Sequence, residues 1–129
     1  MVSPIPAGHN AVSPYLVVAD PLRLIGFLEK VFGAQRLVVD AMPGGGTHAE
    51  VRIADSIVMI GGGRAASPGM VHVYVPDVDA CFERALAAGA TAMRKPETMS
   101  YGDRISMVKD ADGNVWAIST HVEDVATPK

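Results

Sequence analysis

At 129 residues, with 49% hydrophobic and 19% charged side chains, the chain has the length and make-up of one folded domain rather than of a disordered segment. Lys and Arg number 11 against 14 Asp and Glu, a net charge of −3 with no basic cluster, which excludes a phosphate-backbone binder, so no nucleic-acid partner is expected. The single Cys81 excludes an internal disulfide and any Cys-x-x-Cys zinc or redox site; Met1–Pro6 lacks the basic start and apolar stretch of a leader, and no apolar run approaches the roughly 20 residues of a membrane span. A cytoplasmic chain without membrane attachment is the expectation.

In chain order, Tyr15-Leu16-Val17-Val18-Ala19-Asp20 reads as an apolar strand ending in Asp. Asp20 suits a helix N-cap with Pro21 at the first helical position, and Leu24, Phe27, Leu28, Val31 and Phe32 recur on one helix face before Gly33 stops it. Ala34–Ala41 then reads as a strand, Met42-Pro43-Gly44-Gly45-Gly46 as a hairpin loop, Thr47–Ala54 as an alternating strand and Ser56–Ile60 as a short buried one. The glycine- and proline-rich segment from Gly61 to Gly69 reads as a linker. Its triple glycine, with no Gly-Lys-Ser/Thr after it and no strand-to-helix setting, is a turn and not a phosphate loop.

The same order then returns. Val73-Tyr74-Val75-Pro76-Asp77 ends in Asp; Asp77 or Asp79 caps a helix carrying Val78, Cys81, Phe82, Ala85 and Leu86 on its apolar stripe; Gly89 stops it. Strands are predicted at Thr91–Lys95, Arg104–Lys109 and Asn114–His121, with a loop over Pro96–Tyr101 and a turn at Asp110-Ala111-Asp112-Gly113. The chain is therefore an α+β protein of two βαβββ modules, one single domain over 1–129, with module one at about 10–61, a linker at about 61–69 and module two at about 70–122. Two such modules, with helices outside, leave curved mixed sheets that can close around a cleft.

Several strings carry a resemblance across nearly the whole chain: Ile5-Pro6-Ala7-Gly8 with Ser13-Pro14-Tyr15-Leu16-Val17-Val18, Phe32-Gly33-Ala34, His48-Ala49-Glu50-Val51-Arg52-Ile53, Val75-Pro76-Asp77-Val78-Asp79-Ala80, Ala88-Gly89-Ala90, Tyr101-Gly102-Asp103-Arg104, and Asp110 to Gly113 leading to Trp116 and Thr120-His121. In these the sequence resembles the vicinal oxygen chelate superfamily, in its glyoxalase/bleomycin-resistance-like branch. The resemblance implies one of two activities. Similar proteins include metal-dependent isomerases, lyases and extradiol dioxygenases, and also metal-free drug-binding resistance proteins; they commonly pair as homodimers, which is the expected assembly. The metal enzymes take one ligand from each of four strands, and strand register carries those positions onto Ser13, Met59, His72 and Ala117. Only His72 is a good ligand type, so no metal or other cofactor is expected.

The expected partner is a small organic molecule, and the expected reading is a small-molecule-binding protein of resistance type. The alternative is a lyase, isomerase or dioxygenase, whether metal-dependent or working by acid–base chemistry on Glu50 and His72. Alternation sets His72 and Tyr74 opposite Val71, Val73 and Val75, and sets Ala117, Ser119 and His121 opposite Trp116, Ile118 and Thr120. It gives the cleft Tyr15, Met59, Ile105 and Met107 as well, a mostly apolar wall with a few polar groups. His48, Glu50 and Arg52 share the side of their strand away from Ala49, Val51 and Ile53; they form either a binding or acid–base group or a solvated face with an ordinary ion pair. His48, His72 and His121 make an alternative metal trio if the sheets bring them together. Tyr101 and Arg104 mark a lip of the cleft, where Tyr stacks on a ligand and Arg meets an anion, unless Arg104 only shapes its loop. Cys81 is read as a buried, inert thiol.

Overall fold

A computed structural model describes residues 3–62 and 66–125. Among them the order is β1 (Tyr15–Val18), α1 (Pro21–Phe32), β2 (Gln35–Ala41), β3 (Thr47–Ile53), β4 (Ser56–Gly62), β5 (Met70–Tyr74), α2 (Val78–Ala87), β6 (Thr91–Thr98), β7 (Asp103–Lys109) and β8 (Val115–His121). Two four-stranded mixed sheets result, β1-β4-β3-β2 and β5-β8-β7-β6. In each, the first strand runs parallel to the last and the other pairs are antiparallel. The α+β class and the βαβββ repeat are as the sequence predicts. No helix of the described residues is long and apolar enough to cross a membrane.

Local chemistry explains the punctuation. The Asp20 carboxylate accepts from the Arg23 N–H and Pro21 opens α1, while Gly33 ends it at φ 65°, a left-handed conformation that suits glycine. Asp77, not Asp79, caps α2, accepting from the Ala80 N–H. The chain divides into two compact units, one running to Glu29 and from Gly33 to Ser67, the other joining Lys30–Phe32 to the chain from Pro68 onward. In the first unit Leu16, Val18, Ala49, Val51 and Ile53 are buried on one face of the sheet. In the second, α2 packs on β6, β7 and β8, and the buried face holds Val108, Trp116 and Ile118. The Trp116 ring meets Phe32 at 5.4 Å, and Cys81 is buried with its thiol 3.5 Å from the Val31 carbonyl.

The main shifts from the expected boundaries fall in β4 to β7. β4 runs on through Gly61 and Gly62, which the sequence assigns to the linker. A Cβ on Gly61 would fall against the Tyr15 ring, and one on Gly62 against Pro21, so these are strand positions from which side chains are excluded by close neighbours. Of the remaining linker, 63–65 lie outside the described residues. β5 starts at Met70, because its parallel pairing to β8 extends from Met70 opposite Val115 to Tyr74 opposite Ser119. β6 continues past Lys95 through Pro96 to Thr98; it is an edge strand whose register breaks between Arg94 and Glu97, the setting in which a missing N–H is tolerated. β7 begins one residue early, at Asp103.

Candidate functional site

The first sheet's open face, opposite its buried residues, is built by register. Tyr15 stands beside Met59, Met59 beside Glu50, and His48 beside both Gly61 and Asp40. At its centre Glu50 is held by two imidazoles: His9 Nε2 lies 2.7 Å from Oε1 and His48 Nε2 lies 3.0 Å from Oε2. Hydrogen bonding from His48 and then from His9 outweighs partial burial and holds the Glu50 carboxyl below its ordinary range. The bond to Glu50, with a weaker one to the Ala7 carbonyl, raises His9. Both His9 ring nitrogens thus face acceptors, which suits an imidazolium. Arg52 donates to the Gly8 carbonyl at 3.2 Å, and Asn10 receives the Ile57 N–H at 3.2 Å, so residues 8–10 are strapped to the sheet. The Tyr15 ring lies 5.9 Å from that of His48 and is 55% exposed. Tyr15 also lines an open concavity of about 300 Å³ with Val17, Met42, Pro43, Gly45, Thr47 and the two glycines of β4.

The second sheet's open face, away from α2, carries His72, Tyr74, Asp103, Ile105, Met107, Ala117, Ser119 and His121; cross-strand pairing sets His72 beside Ala117, Tyr74 beside Ser119, Ile105 beside Ser119 and Met107 beside Ala117. The Tyr74 hydroxyl donates to Asp103 Oδ2 at 2.8 Å; Asp103 Oδ1 takes His121 Nδ1 at 2.8 Å; and His121 Nε2 meets Asp124 at 2.6 Å. His121 first and Tyr74 second hold the Asp103 carboxyl below the usual carboxylate range. Asp124 and then Asp103 raise His121, and the bond to Asp103 with added burial raises the Tyr74 phenol. His72 shares a hydrogen bond of 3.1 Å with the Ser119 hydroxyl and sets its ring edge-on to Tyr74 at 4.5 Å.

One candidate lies apart from these faces. Arg104 is on the α2 side of its strand, beside Thr120, where Asp79 takes it in two bonds of 2.8 and 2.9 Å and Thr98 in a third. The alternation that gives Ile105 and Met107 to the open face turns Arg104 from it, so this guanidinium is a tie between β7 and α2 and not a lip residue. Tyr101 sits exposed on the turn before β7. The sequence reading leaves out His9, Asp103 and Asp124. A signal for Asp103 was present: it shares parity with Ile105 and Met107. His9 and Asp124 lie outside the strands, where alternation says nothing.

The metal positions transferred by register do not fit a divalent ion. Met59 offers a thioether and Ala117 a methyl group, neither a donor for a hard cation; the buried Ser13 hydroxyl has no hydrogen-bond partner, and His72 stands alone as an imidazole. Nor, among the described residues, does any group of three or more His, Cys, Asp or Glu have the arrangement to hold a metal ion. In particular His48, His72 and His121 are each engaged within their own unit, by Glu50, Ser119 and the Asp103–Asp124 pair.

Comparison with known proteins agrees with this architecture. Residues 8–118 match the family described as the Glyoxalase/Bleomycin resistance protein/Dioxygenase superfamily. An uncharacterized protein of Mycobacterium bovis is 37% identical over 130 residues, covering 89% of this chain and 86% of that protein, and one from Mycobacterium tuberculosis is 37% identical with 89% and 76% covered. Among solved structures, TioX from Micromonospora sp. ML1 is 27% identical with a TM-score of 0.69, covering 87% of this chain and all 100% of that one. FosX from Listeria monocytogenes, a fosfomycin resistance protein solved with Mn(II) and sulfate, shares the fold at TM-score 0.69 and 20% identity, with 93% of each chain covered. The chain belongs to the glyoxalase/bleomycin resistance/dioxygenase superfamily.

Proposed function

We propose that the protein binds a small, partly apolar organic molecule on an open sheet face and retains it unchanged, in the manner of the metal-free resistance proteins of its superfamily. The observation that carries this reading is the donor chemistry: the register positions that supply metal ligands in the superfamily's enzymes hold Ser13, Met59, His72 and Ala117, of which two have no usable donor. Each face by itself suits an organic ligand: one has Tyr15 and Met59 beside Glu50 and His48, and the other has Tyr74, Ile105 and Met107 beside Asp103 and Ser119. Acid–base catalysis by Glu50 is the weaker reading, because both its oxygens are already hydrogen-bonded and its proton affinity is reduced.

A thermal-shift screen of planar aromatic compounds, confirmed by calorimetry, tests the proposal. A ligand at a hundredfold excess over Kd adds about 2.7 kcal/mol and, for a domain of this size, raises the melting temperature by about 10 °C. Tyr74→Ala and Met107→Glu abolish the shift, while Glu83→Ala on the exposed side of α2 leaves it intact. Turnover of a bound compound, or one equivalent of a transition metal by elemental analysis that is lost in His72→Ala, overturns it.

A further inference from the structure

We propose that the open face of the second sheet selects ligands that place a cationic hydrogen-bond donor, such as an ammonium group, beside an aromatic or aliphatic body, with the Tyr74 hydroxyl oxygen as acceptor and Asp103 as the positioning residue behind it. This rests on the reading that the face binds an organic molecule, and it names the chemistry of that molecule. The phenol proton is committed to Asp103 Oδ2 at 2.8 Å, so Tyr74 offers an approaching ligand only lone pairs. Asp103 is 8% exposed and fixed from a second side by His121, so it holds the phenol in that orientation, whereas the Tyr74 side chain itself is 59% exposed.

The charges around the phenol point the same way. His121 is balanced by two carboxylates, Asp103 and Asp124, which leaves this corner negative even with the imidazole protonated. Arg104, Arg94 and Lys109, which could favour an anion, are engaged or distant. Arg104 lies on the opposite face with Asp79, and Arg94 is paired with Glu97 at 2.9 Å. Lys109 is at the far end of β7, roughly 20 Å along the strand from Asp103. The exposed Tyr74 ring adds a π face for the same cation, and Ile105 and Met107 supply the apolar floor.

Three probes with one phenyl body separate the possibilities: 2-phenylethylamine, 2-phenylethanol and 3-phenylpropionate, titrated into isotope-labelled protein with the His72, Tyr74 and His121 side-chain resonances as readout. The expected order is amine, then alcohol, then carboxylate, with roughly three- to tenfold between the ends. In Asp103→Asn the advantage of the amine over the alcohol falls to near unity. In His121→Gln, a change at a half-exposed side chain, that advantage grows. A carboxylate that binds the native protein as tightly as the amine overturns the inference, as does an unchanged amine-to-alcohol ratio in a folded Asp103→Asn protein. If Asp103→Asn does not fold, His121→Gln decides, and no rise there refutes it. Failure of all three probes to perturb these resonances overturns the binding reading itself and this inference with it.

Discussion

The two carboxylates of the open faces, Glu50 at the centre of one and Asp103 at a corner of the other, are each fixed by histidine, and this gives the protein a pH signature. His9 has a raised pKa, so its bond to Glu50 contributes stability that is fully present below the ordinary imidazole value of 6.5 and is lost as pH rises through the higher folded value. Glu50 is depressed, so its share is fully present above its ordinary 4.5 and lost as pH falls through the lower folded value. His9→Gln is therefore expected to lower the melting temperature most between pH 4.5 and 6.5, the gap to the native protein closing on the alkaline side; calorimetric scans across pH measure it. Asp110 makes a different sort of prediction. It is buried and accepts from the Asp112 N–H at 2.9 Å, the Asn114 N–H at 3.0 Å, the Asn114 amide at 3.3 Å and the Trp116 indole N–H at 2.8 Å. Asp110→Ala strands a fully buried indole N–H and is expected to cost about 2 to 4 kcal/mol in urea denaturation.

At the scale of elements, the two glycines that end β4 separate a stability effect from a positional one. A methyl group on Gly62 runs into the Pro21 ring at the start of α1 and lies 3.2 Å from the Val18 carbonyl, neither of which can yield, so Gly62→Ala is expected to cost about 1 to 3 kcal/mol. On Gly61 the same group meets the hydroxyl end of Tyr15 at 2.6 Å, an exposed side chain free to swing; Gly61→Ala is expected to keep its stability and to change Tyr15 fluorescence and ring shifts. Neither glycine was legible as strand, because local composition reads Gly61–Gly63 as a break while the reason for their presence is a pair of side chains some 40 residues earlier in the chain. Where the signal is local the sequence was sufficient: Asp20 capping and Gly33 ending α1, and Ala49, Val51 and Ile53 turning inward. The clusters on the open faces were not legible as clusters, since His9–Glu50 spans 41 residues and Tyr74–Asp103 spans 29, and only strand pairing brings them together. For Arg104 the motif left a ligand contact and a structural pairing both open, where strand parity, applied one residue further, gives the α2 side.

For the molecule as a whole, self-association is the property the sheets make testable. β2 is an edge strand in its own sheet, with Leu37 and Val39 exposed along it and Met42 exposed just beyond its end. A homodimer is the expected state, and light scattering across a micromolar dilution series should return twice the mass of one chain. A single-chain mass throughout refutes it.

The second sheet ends differently, and the difference bears on how the protein avoids clumping. β6 is also an edge, yet Pro96 removes one of its donors, two breaks in register twist its ladder, and Arg94, Lys95 and Glu97 line it with charge. An approaching β-segment from another copy would find neither a regular row of hydrogen-bonding groups nor an uncharged strip, so strand addition at this edge of the sheet is disfavoured. A proline that looks out of place in a strand thus serves colloidal stability, a service visible only when many copies share one solution.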